Sequence, residues 1–122
     1  MKNKGIVLIC DNEDEHLNEV RNALENEGYS IEIITDASDL IPRAIRVRPG
    51  VLIVNPDLKA FNAYDVCKHI LKDMDVPAIM IVEKNATARA QIDECEIEDV
   101  LTKPVNIRNL LNLISKHLTV AH

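Results

Sequence analysis

Three apolar runs in this 122-residue chain each end in a polar residue. Val7-Leu8-Ile9-Cys10 runs into Asp11, Val51-Leu52-Ile53-Val54 into Asn55, and Val100-Leu101-Thr102 into Lys103. Strands of an open parallel sheet converge at their carboxyl ends on one crevice, which is where such folds bind ligands. A carboxylate, an amide and a lysine are therefore expected together. The amide is the informative member. Attack on phosphorus needs an oxygen with available charge, and an amide oxygen lacks it, so Asn55 cannot form an acyl phosphate. Deamidation to aspartate requires the next backbone N–H, which Pro56 does not have.

The elements that must carry these residues follow from periodicity. Residues 5–10 read as a strand buried on both faces. Leu17, Val20 and Leu24 recur at helical spacing over 14–27, and Gly28 supplies the stop. Ser30-Ile31-Glu32-Ile33 alternates as an edge strand would. A second helix carries Leu40, Ile41, Ala44 and Ile45, with Pro42 in its first turn. Arg48-Pro49-Gly50 breaks the chain before a strand at 51–55. A third helix contains Val66, Ile70 and Leu71, and Val76-Pro77 opens a strand through Val82. Residues 86–95 have only a thin apolar stripe of Ala88, Ile92 and Cys95, which predicts a weakly held helix. A strand at 99–102 and a helix bearing Ile107, Leu110, Leu111, Ile114 and Leu118 close the chain. Strands alternating with helices in this way require right-handed crossovers and a doubly wound parallel sheet, here one α/β domain over 1–122.

Composition excludes several function classes. With 47% hydrophobic residues the chain can bury a core, but one Phe, two Tyr and no Trp leave no stacking platform for bases. A formal charge of -6 disfavours phosphate backbones and anionic lipid, so neither nucleic acid nor membrane is an expected partner. No apolar stretch reaches the length of a membrane span, and Met1-Lys2-Asn3-Lys4 leads into the first strand without an apolar signal-peptide region, so a soluble, intracellular protein is expected. Cys10, Cys67 and Cys95 are odd in number and widely spaced, matching neither a disulfide framework nor a zinc pattern. Reduced thiols in a cytoplasmic protein are the expectation. His16, His69, His117 and His122 show no ligand spacing and are expected on solvated helix faces.

These features together resemble the receiver domain of bacterial two-component response regulators over almost the whole chain. The resemblance is carried by Ile6-Val7-Leu8-Ile9-Cys10-Asp11-Asn12-Glu13-Asp14, by Arg48-Pro49 through Asn55, by Tyr64-Asp65-Val66-Cys67 and by Leu101-Thr102-Lys103-Pro104. It implies a flavodoxin-like receiver fold with strand order 2-1-3-4-5. In an active receiver it would also imply two adjacent acids that help hold magnesium, a phosphoacceptor aspartate ending the third strand, a hydroxyl ending the fourth, and a lysine after the fifth. On this comparison Asp11 and Lys103 match, whereas Cys10 stands at the first acid, Asn55 at the phosphoacceptor and Val82 at the hydroxyl. Val100 replaces the aromatic switch residue, and Lys59-Ala60 replaces a Pro-Gly pair.

Magnesium requires hard oxygen ligands, and each missing nearby charge removes about 4 kcal/mol at an effective dielectric of 20. Magnesium binding is accordingly expected to be weak or absent, with no other metal or cofactor. Asp11 and Lys103 are expected to pair directly beside Asn55. The reading is a degenerate receiver without enzymatic activity, a phosphorylation-independent module that binds a protein through its 86–118 face. A second copy, a histidine kinase or an effector is the expected class of partner. Two alternatives compete: phosphorylation at Asp57, and a redox or small-ligand sensor centred on Cys10.

Overall fold

A computed structural model describes residues 4–84, 95, 97 and 99–119. Five parallel strands, β1 (Ile6–Cys10), β2 (Ser30–Ile34), β3 (Val51–Val54), β4 (Ala78–Val82) and β5 (Val100–Thr102), form one sheet in the order β2-β1-β3-β4-β5. The register aligns their carboxyl ends, with Cys10 opposite Val54, Val54 opposite Met80, and Val82 opposite Thr102. The expected doubly wound α/β architecture and strand order are thus those of the molecule. β4 begins at Ala78 rather than at Val76. Pro77 has no N–H to give the ladder and serves it only through its carbonyl, which accepts from Leu52 N at 2.9 Å.

Alternation along the strands divides the core in two. Val7, Ile9, Val51, Ile53, Ile79 and Ile81 point to one face, where they meet Leu17, Val20 and Leu24 of α1 (Glu15–Asn26) and Leu110 and Ile114 of α4 (Ile107–Thr119). Leu8, Cys10, Leu52, Val54, Met80 and Val82 point to the other, against Leu40 and Ala44 of α2 (Leu40–Val47) and Val66 and Ile70 of α3 (63–72). α3 starts as an α-helix over Ala63–Asp65 and continues as a wider π-type helix over Val66–Lys72. The three central strands are apolar throughout because each is covered on both faces.

Local signals set the helix ends. Asp14 caps α1 by accepting from Leu17 N at 2.9 Å, and the chain leaves through Gly28 in the left-handed region (φ 100°). A 3-10 turn over Ala37–Asp39, capped by Asp36, precedes α2, which ends at Arg48. Apart from Cys95, the helix expected over 86–95 lies outside the described residues.

Two expectations about cysteines and histidines are corrected. Cys67 and Cys95 form a disulfide, with Cα atoms 5.3 Å apart, and only Cys10 is free. Spacing alone could not select the pair, because the fold brings α3 beside the segment that leads into β5. His16 is not a solvated helix residue: its Nε2 accepts from Val105 N at 3.0 Å and so ties α1 to the loop after β5. His117 is likewise engaged, 2.6 Å from Asp99 Oδ2.

Candidate functional site

Backbone bonds fix the three residues that leave the strand ends. Asp11 N donates to Ile34 O at 3.1 Å, Asn55 N to Cys10 O at 2.9 Å, and Lys103 N to Val82 O at 2.9 Å. Each residue is held by the neighbouring strand at the last rung of the ladder. The following Lys103–Pro104 peptide is cis.

Their side chains meet as expected. Lys103 Nζ lies 3.0 Å from both carboxylate oxygens of Asp11, and Asn55 Nδ2 donates to Asp11 Oδ1 at 3.1 Å. Asp11 and Asn55 are the buried polar residues of the described chain, 3% and 1% exposed. A further carboxylate, not anticipated from sequence, completes the cluster. Glu83 Oε2 accepts from Asn55 Nδ2 at 2.7 Å and from Lys103 Nζ at 3.1 Å. Glu83 is the first residue beyond β4, at the same level of the sheet as Asp11, Asn55 and Lys103. That position is the signal the sequence carries for Glu83, whereas the resemblance points to Val82, one residue earlier.

Both donors and the acceptor oxygen of the Asn55 amide are engaged. Its two amide hydrogens serve two carboxylates, and its Oδ1 accepts from Asp57 N at 2.9 Å. Asp57 therefore meets this residue through its backbone. Asp11 Oδ1 also accepts from Asn12 N at 2.7 Å. Asp14 approaches Lys103 Nζ from the solvent side at 4.0 Å. Burial opposes the charge on Lys103, yet hydrogen bonds and attraction from Asp11 and Glu83 outweigh it and raise its pKa above the ordinary lysine value.

Cys10 and Val82 are not in this crevice. Both are strand residues whose side chains point into the α2/α3 half of the core. The residues that leave β1 are Asp11 and Asn12, so the expected placement of Cys10 beside the lysine is wrong by one residue. The slip has a physical origin: adjacent strand residues face opposite sides, and an apolar run ending in Cys does not show which residue is first to leave the sheet. Burial, followed by the charges of Asp11, Asp36 and Asp39, pushes the Cys10 thiol up to about 12. Such a thiol is not the reactive centre of a redox sensor. Val100 is partly buried against the same core cluster as Cys10. Ile45 and Tyr64, the large hydrophobic residues exposed among the described ones, lie on α2 and α3 and not within 86–118. Among the described residues, no helix is long and apolar enough to cross a membrane.

Comparison with known proteins agrees with this architecture. A family model described as response regulator receiver domain matches residues 7–115. The DNA-binding response regulator MtrA of Mycolicibacterium smegmatis is 24% identical over 113 residues, which cover 92% of this chain and 50% of that protein. The chain thus spans about half the length of this curated relative. Among solved structures, the signal receiver domain of a signal transduction histidine kinase from Syntrophus aciditrophicus superimposes with TM-score 0.81 at 20% identity, covering 96% of this chain and 92% of that one. The receiver domain of a sensor histidine kinase from Pseudomonas aeruginosa PAO1, solved with magnesium coordinated in its active-site cleft, gives 0.80 at 17% identity, covering 94% and 98%.

Proposed function

The chain belongs to the response regulator receiver domain family, and from that premise we propose that it is a receiver whose interactions do not depend on phosphorylation. One observation carries the reading. At the end of β3 stands an amide that donates to two carboxylates, where an acyl phosphate would need a carboxylate of its own. An aspartate in that place would have no hydrogen to offer Asp11 or Glu83 and would add a third negative charge beside them.

The donor set does not fit a divalent cation. Asp11, the buried carboxylate, is already bonded by Lys103, Asn55 and the Asn12 amide, and Asn12 supplies no charge. No cluster of three His, Cys, Asp or Glu residues able to hold a metal ion occurs among the described residues. The charge balance differs from the sequence expectation, because Cys10 faces the core, the uncharged Asn12 follows Asp11, and Glu83 returns a carboxylate. Lys103 is satisfied by that carboxylate within the chain, so the crevice has an internal anion without a phosphoryl group.

The domain then works as a signalling module that binds protein, with a histidine kinase, an effector or a second copy as the class of partner and 86–118 as the face. Cytoplasmic placement and the absence of catalytic turnover belong to the same reading. Amide NMR during titration with beryllofluoride and magnesium tests it. Unchanged resonances for Asp11, Asn55 and Lys103 are expected, and saturable shifts at these residues would overturn the proposal. Phosphorylation at Asp57 is the rival, and beryllofluoride shifts abolished by Asp57→Ala would establish it.

A further inference from the structure

The Cys67–Cys95 disulfide joins α3 to the segment leading into β5, and its two sulfurs face different electrostatic surroundings. Cys67 is partly exposed and lines a surface cavity of about 430 Å³ with Tyr64, Lys68, Lys72 and Asp73. Asp73 lies 3.6 Å from His69 Nδ1, and Lys68 Nζ lies 5.8 Å from the Tyr64 ring centre. Two exposed lysines and one carboxylate thus share the cavity that Cys67 lines. Cys95 instead lines a separate cavity with Asp75 and the Asp99–His117 pair. An anion approaching the disulfide from the side of Lys68 and Lys72 is drawn toward Cys67.

We propose that Cys67–Cys95 is a reversible thiol–disulfide switch, reduced by a small anionic thiol of the glutathione class received in the cavity bordered by Lys68 and Lys72. The thiolate attacks Cys67 Sγ, a mixed disulfide forms there, and the S–S electron pair leaves on Cys95 Sγ, which takes a proton from water. A second equivalent of the thiol attacks the mixed disulfide. It releases the oxidised small-molecule disulfide and leaves Cys67 as a thiol. Reduction cuts the covalent tie between α3 and Cys95, five residues before β5. Disulfides that solvent reaches are the labile, regulatory ones, and both cysteines of this one are partly exposed, whereas Cys10 is buried and inert. This inference does not rest on the phosphorylation reading, since it uses neither Asn55 nor Lys103.

The experiment starts from full-length chain purified without reductant and alkylated in denaturant. Cys10 alone should react, whereas three alkylated cysteines would mean no disulfide and overturn the proposal. Oxidised protein is then mixed with glutathione, quenched by acid and peptide-mapped, and the glutathione adduct is expected on Cys67. An adduct on Cys95 contradicts the assigned direction of attack. Lys68→Ala/Lys72→Ala, two exposed positions whose loss should leave the circular dichroism unchanged, should slow the glutathione reaction by about tenfold and leave that of uncharged 2-mercaptoethanol nearly unaltered. Equal effects on the two thiols, or none on either, refute the lysine-lined docking site.

Discussion

Replacing Lys103 by Met tests how the crevice is held together. The lysine side chain is 11% exposed and that of Asp11 5%, so the substitution leaves a buried carboxylate without its cation. Removing one member of a buried pair costs about 3–5 kcal/mol. Asn55 Nδ2 and Asn12 N still donate to Asp11, which places the expected loss near the lower bound, about 3 kcal/mol. Glu83 gives the internal control. Its side chain is 43% exposed and can return to water, so Glu83→Gln should cost less than about 1 kcal/mol. Adding Asp11→Asn to Lys103→Met removes the stranded charge and should recover part of the loss. Urea unfolding at neutral pH is best followed by far-ultraviolet circular dichroism, since the chain has no Trp. With a slope of about 2 kcal/mol per molar urea, Lys103→Met should move the midpoint by roughly 1.5 M. A shift no larger than that of Glu83→Gln would refute the picture of a buried, lysine-dependent carboxylate.

Cys10→Asp places a charge in the apolar core beside Leu8, Ile34 and Val54 and should cost several kcal/mol or abolish folding, whereas Asn12→Asp at an exposed loop position should leave the urea midpoint nearly unchanged. Asn55→Asp should lower the melting temperature at neutral pH by setting a third carboxylate against Asp11 and Glu83, with the deficit shrinking as acid protonates the cluster. Alkaline unfolding should reveal Cys10: its folded pKa is about 12 against 9.0 in the free thiol, so stability is full below pH 9, declines between 9 and 12, and declines less in Cys10→Val. Lys103 acts in the same direction at higher pH, because its raised pKa gives a contribution that is full below its ordinary value of 10.5 and lost as pH passes the folded one.

The fold was legible because its strands advertise themselves. β1, β3 and β4 are near-unbroken aliphatic runs, α1 and α4 carry their buried residues at helical spacing, and Gly28 and Pro49 mark breaks. Asp11, Asn55 and Lys103 were legible for the same reason, as the first polar residues beyond three strands. The misreadings occurred where one residue or one pairing decides the outcome. Cys10 and Val82 each stand one residue short of the crevice residues Asp11 and Glu83, and adjacent strand residues face opposite sides, so both point into the core instead. The Cys67–Cys95 bond and the His16–Val105 contact join residues far apart in the chain, and only the packed helices bring them together.

The central claim is that Asn55 removes the chemistry of phosphoryl capture while the crevice stays intact. Incubation of the protein with acetyl phosphate and magnesium, followed by intact mass spectrometry at neutral pH, tests it most directly. The account predicts an unmodified mass over hours. A stoichiometric, hydroxylamine-labile phosphoryl adduct would contradict it.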